Sequence, residues 1–432
     1  MKKLFKEHLD SRLLKIYTLL ESENLDRLYI ESGKSEPYFF DDQSPPFREN
    51  PHFLYFCLAQ GENHILEIAL NQKPILHLYN PKDFWHQQED WQDLDWSVLY
   101  EIQSYDNPNL FWKNAKTQHS QILSPHPQLA LSAGAQNLSS RIMNQLNWMR
   151  LSKSPYEVDC IQKANYWASL GHLAAQNCFF EGASEFDIML AYLGASRQRE
   201  SQLPYNSIIA LDQHAAILHY QNLTQERNGQ SFLIDSGFRF RGYCSDISRT
   251  YFQESAHPIY KDICNSVTAL EQTLWRSLRV GSAYSDIQEH AFQGITKILV
   301  DSEVLKCSFS EALEARIAKY FYPHGVGHGL GLQVHDIGGK QLSPDGDLAQ
   351  NDELHPFLRT LRRVQENDVL TIEPGLYFIP LLLEELHDSP HCRNLINWPL
   401  VNELKSFGGV RIEDDILVTK EGPVNITREY LN

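Results

Sequence analysis

The sequence predicts an α+β protein made of two domains, and three observations support this prediction. The chain has 432 residues, whereas a single hydrophobic core usually stops growing near ~250–300 residues. Its content of 42% hydrophobic and 22% charged residues is ordinary for a globular chain that buries a sizeable core. Beyond residue 150, helices lie between strand-rich blocks in an order that indicates hairpins rather than regular βαβ units. We therefore expect a smaller α/β domain over residues 1–150 and a larger domain over residues 151–432.

The smaller domain begins with a helix, because Leu9, Leu13 and Ile16 recur at helical spacing. Charged residues interrupt this segment, so it does not resemble a signal peptide, and no run approaches the ~18–20 apolar residues that a membrane span needs. Apolar runs predict strands within DRLYIESG, FLYFCLA, HILEIAL and KPILHLY. The tryptophans of the polar section that follows, including Trp85, are most simply packing residues.

The larger domain opens with a capping box, formed by Ser154 and Glu157 with Pro155 at the first helical position. This pattern predicts a long helix from residue 155. Two further boxes predict helix starts, at Ser184 with Asp187 and at Ser285 with Gln288. Strands are predicted between these helices, within PYNSIIAL, AAILHYQ, SFLIDSGF, VLTIEPGLYF and GGVRIEDDILVT.

Charge and cysteine content limit the possible classes of function. The chain has 38 basic and 55 acidic residues, a net charge of −17, and an acidic surface repels nucleic acid and anionic lipid. We therefore expect neither a nucleic acid nor a membrane as a partner. The seven cysteines are scattered and form no CxxC pair, which indicates reduced thiols and a cytoplasmic location rather than a disulfide framework.

Asp235 and Asp246 lie eleven residues apart in SFLIDSGFRFRGYCSDISRTYF. If the chain turns near Phe240 and Arg241, the two carboxylates lie nearly opposite each other on an antiparallel pair. Two such carboxylates repel unless a positive charge lies between them, and a divalent cation would supply it. In the alternative interpretation, Asp235 is a turn residue and Asp246 pairs with Arg249.

Three histidines, His324, His328 and His335, lie in the glycine-rich run YPHGVGHGLGLQVHDIGG. The glycines argue against a helix and favour a backbone that folds closely around a ligand. The run lacks the glutamate of the HExxH zinc helix, and it lacks the Gly-Lys-Ser/Thr of a phosphate-binding loop. It predicts a ligand-binding or catalytic cluster, with structural histidines as the alternative.

Two further carboxylates lie at strand ends. Glu373 follows an apolar strand, where a buried charge is costly unless it is paired or binds a metal. Strand alternation places Arg411, Glu413 and Asp415 on one face, and a solvent-facing Glu413 fits this pattern as well as a buried one. Taken together, the four carboxylates and one imidazole form an oxygen-rich set that suits two Mn²⁺-like ions.

The ordered segments ILHY, IDSG, SDISRT, HGVGHGLGLQVHD, TIEPGLYF and GGVRIEDD resemble the pita-bread metallopeptidases. The chain is similar to bacterial Xaa-Pro dipeptidases (prolidases) over nearly its whole length. This resemblance implies a pita-bread, creatinase/aminopeptidase-like catalytic domain after a smaller N-terminal α/β domain.

By the same resemblance, Asp235 binds one metal ion, and His328 binds another together with Glu373. Asp246 and Glu413 bridge the two ions. The expected cofactor is two divalent ions per subunit, most simply Mn²⁺, while Co²⁺ and Zn²⁺ stay open because their ligand preferences overlap. A hydroxide held between the ions would attack the carbonyl of the Xaa-Pro bond.

The resemblance makes His219, His324 and His335 unligated catalytic histidines near the scissile carbonyl. Imidazoles there can donate hydrogen bonds to charge that develops in the tetrahedral intermediate. Glu373, besides binding metal, can pass a proton to the leaving proline nitrogen.

The implied substrate contacts begin with Arg359, which matches the family arginine that holds the substrate carboxylate and would explain a preference for dipeptides. Arg411 is implied to support the bridging glutamate beside the substrate. Tyr205, together with Leu203, is a candidate for the pocket of the first dipeptide residue. Trp85 is a candidate for reaching the active site of a neighbouring subunit in a homodimer.

The sequence therefore predicts a cytoplasmic, dinuclear, manganese-dependent dipeptidase that hydrolyses dipeptides ending in proline or hydroxyproline. The alternatives are an Xaa-Pro aminopeptidase, an organophosphate hydrolase on the same fold, or a non-catalytic pita-bread binding module. The presence of all five ligand positions argues against the binding module.

Overall fold

The computed structural model describes residues 1–84, 91, 94–351 and 353–432. The chain divides into two compact units. The first comprises Met1–Met149, Ser154–Tyr156 and Pro344–Gly346, and the second comprises Arg150–Lys153, Glu157–Ser343 and Asp347–Asn432. Within the described residues, no helix combines the length and the apolar character needed to cross a bilayer.

The first unit is built on a mixed six-stranded sheet in the order β4-β3-β2-β1-β5-β6. β2 pairs antiparallel with β1 and β3, and the other neighbours pair in parallel. Its elements are α1 (Lys2–Ser22), β1 (Arg27–Glu31), α2 (Pro51–Phe56), β2 (Ile65–Ala69), β3 (Ile75–Tyr79), β4 (Glu101–Tyr105), α3 (Pro108–Asn114), β5 (Ser120–Leu123), α4 (Gln128–Ser132), β6 (Gln136–Asn137) and α5 (Ser140–Leu151).

The strand predicted within FLYFCLA is wrong, because most of this run forms helix α2. The side chain of Asn50 caps the helix by accepting a hydrogen bond of 3.0 Å from the backbone N–H of His52. Pro51 occupies the first helical turn, where its missing N–H costs nothing. Six of its seven residues are buried, so its apolar pattern does not distinguish a buried strand from a buried helix.

The second unit contains the remaining helices and strands. They are α6 (Pro155–Phe180), α7 (Glu185–Ser196), β7 (Ile208–Leu211), β8 (Ser231–Asp235), β9 (Arg239–Phe240), β10 (Tyr243–Cys244), β11 (Ser248–Phe252), α8 (Pro258–Ser277), α9 (Tyr284–Asp301), α10 (Phe309–Glu314), β12 (Val369–Ile372), β13 (Gly375–Tyr377), α11 (Pro380–Asp388), α12 (Trp398–Leu404), β14 (Gly409–Arg411), β15 (Asp414–Thr419) and β16 (Gly422–Asn425).

Two of the predicted helix starts are correct and one is wrong. α6 begins at Pro155, and α7 begins after Ser184 with a complete capping box to Asp187. α9 begins at Tyr284 instead of after Ser285, and its N-terminal residue Ala283 provides no side-chain cap.

The strands of the second unit pair antiparallel, in the orders β11-β8-β7 and β12-β15-β16 and in the pairs β9·β10 and β13·β14. A single bridge links Ser248 of β11 to Glu413, and another links Gly329 of the glycine-rich segment to Leu370 of β12. The largest hydrophobic core packs α8 and α9 against the strands, with Val267, Ile295 and Leu370 fully or almost fully buried. The bridges bring the ends of separate strands to one place, where the acidic residues lie.

Candidate metal and active site

Strand ends position three of the five predicted metal ligands within the second unit. Asp235 is the last residue of β8, and Glu373 directly follows β12. Glu413 lies between β14 and β15 and forms the bridge to Ser248. Asp235 is paired with Ser248, so Asp246, which was predicted to lie nearly opposite Asp235, is offset from the directly opposite position by two residues. The hairpin β9·β10 does form the turn between them.

The ligand atoms of Asp246, His328 and Glu413 lie within 4.8 Å of one another, and all three residues are buried. Nε2 of His328 is 3.4 Å from Oδ2 of Asp246 and 3.7 Å from Oε1 of Glu373. The fifth predicted ligand, Asp235, is linked to Asp246 through the hydroxyl of Tyr205. This hydroxyl lies 2.8 Å from Oδ1 of Asp235 and 2.5 Å from Oδ1 of Asp246. The predicted ligand positions therefore converge on one cluster.

His328 presents a ring nitrogen to this cluster. Its Nδ1 lies 3.0 Å from the carbonyl oxygen of Gly329, which can only accept, so Nδ1 carries a proton and Nε2 faces the carboxylates. Burial lowers the pKa of His328, but the hydrogen bond and charge of Asp246 more than offset it, and the pKa is raised. A proton on Nε2 therefore serves as a counter-ion to the carboxylates, at the position a metal ion would take.

The carboxylates are too buried to share this space without a cation. Burial raises the pKa of Asp246, raises that of Glu373 to about 7, and raises that of Glu413 well above its usual range. One oxygen of Glu413 accepts a 2.9 Å hydrogen bond from Ser248, whereas the other is buried with no hydrogen-bond partner among the described residues. An unpartnered buried carboxylate oxygen beside three further acids fits a hard divalent cation.

Arg411 supplies positive charge at one side of the cluster. Its guanidinium donates to Oδ2 of Asp235 at 2.7 Å, to Oγ of Ser248 at 3.0 Å and to the hydroxyl of Tyr377 at 2.8 Å. Because Ser248 also donates to Glu413, Arg411 connects to the predicted bridging glutamate through a hydroxyl and to Asp235 directly. The role of Ser248 and Tyr377 was missed from the sequence, although both lie within the quoted motifs SDISRT and TIEPGLYF.

Two of the predicted catalytic histidines are neutral at neutral pH. The ring of His335 lies 4.4 Å from that of His328, and burial lowers its pKa to about 3, with positive charges on His328, Arg359 and His219 acting in the same direction. Burial also lowers the pKa of His324 to about 4, with the charge of Arg411 adding to it.

The two nitrogens of the His324 ring are already occupied. Nδ1 donates to the carbonyl of Gly325 at 2.8 Å, so Nε2, which lies 2.9 Å from the hydroxyl of Tyr377, accepts from that hydroxyl. The hydroxyl of Tyr377 in turn accepts from Arg411. Glu373 lies next to this series of hydrogen bonds, because its Oε2 is 3.7 Å from Nδ1 of His324.

His219 and Arg359 are exposed on loops, after β7 and before β12 respectively. The charges of both residues act on His335, so both residues lie near the side of the cluster where His335 is located. Among the described residues, the guanidinium of Arg359 makes no hydrogen bond or ion pair, unlike that of Arg363, which donates to Gly281.

The remaining predicted residues have different environments. Leu203 is fully buried in a hydrophobic cluster with Ile209 and Phe232, so its predicted role in a substrate pocket is wrong. Tyr205 contacts the two aspartates, as described above. Trp85 lies outside the described residues.

Comparison with known proteins defines the class first. The profile of metallopeptidase family M24 matches residues 159–420, and that of the Xaa-Pro dipeptidase N-terminal domain matches residues 3–148. Aminopeptidase P from Escherichia coli with the inhibitor Pro-Leu has the same fold, with a TM-score of 0.76 at 20% identity over 99% of this chain and 96% of that chain. Proline aminopeptidase P II from Yersinia pestis matches with a TM-score of 0.75 at 21% identity, over 99% and 97%.

Full-length relatives narrow the class. The Xaa-Pro dipeptidase of Pseudoalteromonas haloplanktis is 37% identical over 99% of this chain and 98% of its own length. That of Actinobacillus pleuropneumoniae is 38% identical, also over 99% and 98%. The chain belongs to the Xaa-Pro dipeptidases of metallopeptidase family M24. The predicted family, the α+β fold with a pita-bread domain and the metallo-dipeptidase class of enzyme are confirmed.

Proposed function

We propose that this protein hydrolyses dipeptides whose second residue is proline, using two divalent cations, most simply Mn²⁺. The observation that carries the proposal is the buried cluster of Asp246, His328 and Glu413, with an unpartnered oxygen on Glu413 among the described residues. Full-length similarity to proteins named Xaa-Pro dipeptidase supports the choice of substrate.

The chain's own residues would hold the cations. Asp235 would bind one, His328 and Glu373 the other, and Asp246 and Glu413 both. When bound, such ions supply a water of lowered pKa and polarise the peptide carbonyl. Arg411 and Ser248 hold the carboxylates of Asp235 and Glu413 in place through the hydrogen bonds already described.

The substrate would be recognised at its free carboxylate by Arg359, which has a guanidinium without a partner among the described residues. A planar guanidinium binds a carboxylate through two parallel hydrogen bonds. His335 and His219 would donate hydrogen bonds to the developing oxyanion. Glu373, next to His324, would hold the proton destined for the proline nitrogen.

We further propose that the enzyme is a cytoplasmic homodimer. All seven cysteines have free thiols, which suits a reducing compartment. In the first unit, Phe39 and Phe40 are 89% and 94% exposed, and adjacent exposed aromatic rings often mark a protein contact.

The decisive experiment compares Gly-Pro, Ala-Pro and Ala-Pro-Ala as substrates after chelation, with and without added Mn²⁺. We expect Gly-Pro and Ala-Pro to be hydrolysed only after Mn²⁺ is restored, and Ala-Pro-Ala to be cut more slowly. Faster cleavage of the tripeptide would make the protein an aminopeptidase. Full activity after chelation would contradict the metal mechanism, and no cleavage of any peptide with Mn²⁺ would favour the binding module.

A further inference from the structure

We propose that Glu185, which lies outside the metal cluster, is the positioning residue of the loop that carries His219. This loop, here called the His219 loop, comprises residues 212–230 between β7 and β8. The inference rests on the proposed function for the role of His219 in the reaction. The anchoring itself rests on hydrogen bonds alone.

Five hydrogen bonds from one end of β7 and from the loop converge on the carboxylate of Glu185. Oε1 accepts from the backbone N–H of Leu211 at 2.8 Å and from Nδ1 of His214 at 2.7 Å. Oε2 accepts from the hydroxyl of Tyr220 at 2.8 Å, and from the backbone N–H and the hydroxyl of Thr224 at 2.7 and 3.1 Å. These contacts lie on both sides of His219 in the chain, and Tyr220 is its immediate neighbour.

The carboxylate suits this position because it can only accept. The side chain of Glu185 is fully buried, and an ionised carboxylate offers about four lone pairs and no donor. Every group directed at it is a hydrogen-bond donor, so its oxygen lone pairs are matched by donors from the loop and from the end of β7. Glu185 is also the first residue of α7, where the aligned peptide dipoles favour a negative charge.

The His219 loop is also held by the burial of Tyr220 in a hydrophobic cluster, with Leu218 packed beside it, and by the backbone hydrogen bond from Phe186 to Thr224. Between Ala216 and Thr224 it forms no regular helix or strand. Its own backbone bonds in this stretch are short-range, from Ile217 to His214 and from Tyr220 to Ile217. The ring of His214 stacks on that of Tyr220 with centroids 4.5 Å apart, so both groups held by Glu185 form one rigid pair beside His219.

Replacing the carboxylate by an amide tests this anchor at constant volume. In Glu185→Gln, the amide NH₂ must face either Leu211 and His214 or Tyr220 and Thr224, and each pair consists of donors. We expect kcat for Gly-Pro to fall about 10- to 100-fold, the scale of a reacting group displaced by about 1 Å. KM should change less than about twofold, because Arg359 lies on another loop and binds the carboxylate independently.

A double-mutant cycle separates positioning from general destabilisation. If Glu185 acts through His219, Glu185→Gln should lower kcat in the wild-type background and have no further effect in a His219→Ala background. Additive losses in the two variants would overturn the inference. Glu314→Gln is the matched control, because Glu314 is an exposed residue at the end of α10, outside the His219 loop. Its kcat should equal that of the wild type.

Hydrogen–deuterium exchange tests whether Glu185 holds the loop, and it does not depend on enzyme activity. In Glu185→Gln, peptides covering residues 211–224 should exchange faster, while those covering β12 should not change. Unchanged exchange in 211–224 would overturn the inference even if kcat fell. If wild-type protein with Mn²⁺ failed to cleave Gly-Pro, the proposed function would be wrong, and hydrogen–deuterium exchange would still decide whether Glu185 holds the loop.

If Glu185→Gln does not fold, Tyr220→Phe can replace it, because this variant removes a single hydrogen-bond donor to Glu185. It should show the same non-additive effect on kcat with His219→Ala, on a smaller scale.

Discussion

Asp246 is the residue on which the cluster depends most, because its two oxygens face Tyr205 on one side and His328 on the other. Asp246→Asn keeps the volume but removes the charge. We expect at least the roughly 10–100-fold loss of metal affinity that removal of a ligand's hydrogen-bond partner causes. Metal analysis after dialysis against Mn²⁺ should give two ions per wild-type chain and fewer in the variant. Asp262→Asn, at an exposed carboxylate of α8, should keep both, and a full complement in Asp246→Asn would contradict the bridging role.

Arg359 and Arg363 form a natural pair for testing carboxylate recognition, since both are exposed and lie four residues apart. Loss of charge-assisted hydrogen bonds in Arg359→Ala should lower kcat/KM for Gly-Pro about 10- to 100-fold. Gly-Pro amide, which lacks the carboxylate, should be affected much less. Arg363→Ala should leave both substrates unchanged. Equal losses on acid and amide would show that Arg359 does not read the carboxylate.

At the scale of single residues, the sequence predicted chemistry better than contacts. Asp246, His328 and Glu413 could be found because acids and imidazoles that recur in ordered motifs seldom serve packing alone. Whether Glu413 is buried or faces solvent could not be decided by alternation, because the bridge to Ser248 that buries it joins residues 165 positions apart. Leu203 was misplaced for the same reason, since its burial depends on packing against β7 and β8.

Among the elements, the segment between α10 and β12 holds His328 in place through one glycine. Gly327 has a φ of +153°, and a Cβ there would clash with the carbonyl oxygen of Thr371 in β12 and the hydroxyl of Tyr284. Gly327→Ala should therefore destabilise the fold by about 1–3 kcal/mol and weaken Mn²⁺ binding. Gly329→Ala is the control, because its nearest neighbour to a Cβ is 4.0 Å away. Thermal unfolding and metal content measure both, and equal behaviour of the two variants would contradict this role of Gly327.

α6 carries a buried histidine that makes the fold sensitive to acid. Nε2 of His172 lies 2.9 Å from the carbonyl of Ser236, and burial lowers the pKa of His172 to about 4. Between pH 4 and about 6.5 the unfolded chain binds a proton that the folded chain does not. The corresponding stabilisation is complete above pH 6.5 and is lost progressively as the pH falls from about 6.5 to 4, to a total of about 3 kcal/mol.

Urea unfolding at pH 7.5 and pH 5 measures this effect. His172→Gln should lose less stability than the wild type between the two pH values. His290→Gln, at an exposed histidine of α9, should follow the wild type. The same pH dependence in His172→Gln and in the wild type would exclude His172 as the cause.

Element boundaries were predictable where local chemistry sets them. The start of α7 was correct because Ser184 and Asp187 satisfy each other's backbone groups. FLYFCLA was wrong because its apolar residues hid the helix that Asn50 caps, and the start of α9 was wrong because no side-chain cap marks it. The register that pairs Asp235 with Ser248 was also out of reach, since it depends on the short β9·β10 hairpin between the two strands.

For the whole molecule, the proposed homodimer makes the exposed aromatic pair the surface to test. Phe39 and Phe40 together offer on the order of 300 Å² of aromatic surface. Wild-type protein should sediment as a dimer at micromolar concentration, and the double variant Phe39→Ser, Phe40→Ser should dissociate more readily. Leu14→Ser, at another exposed apolar residue of the first unit, should not change the association. If the wild type sediments as a monomer, the proposed homodimer is wrong. If the double variant associates as tightly as the wild type, the contact between subunits lies elsewhere.

The raised pKa values around Asp246, Glu373, Glu413 and His328 mean that the site without metal stores protons. Cations that enter it must displace those protons, because ligands bind metal in their deprotonated forms. Loading the enzyme is therefore an exchange of protons for metal ions, and the two compete for the same oxygens and nitrogen. The pH of the solution therefore sets the fraction of the protein that holds metal ions.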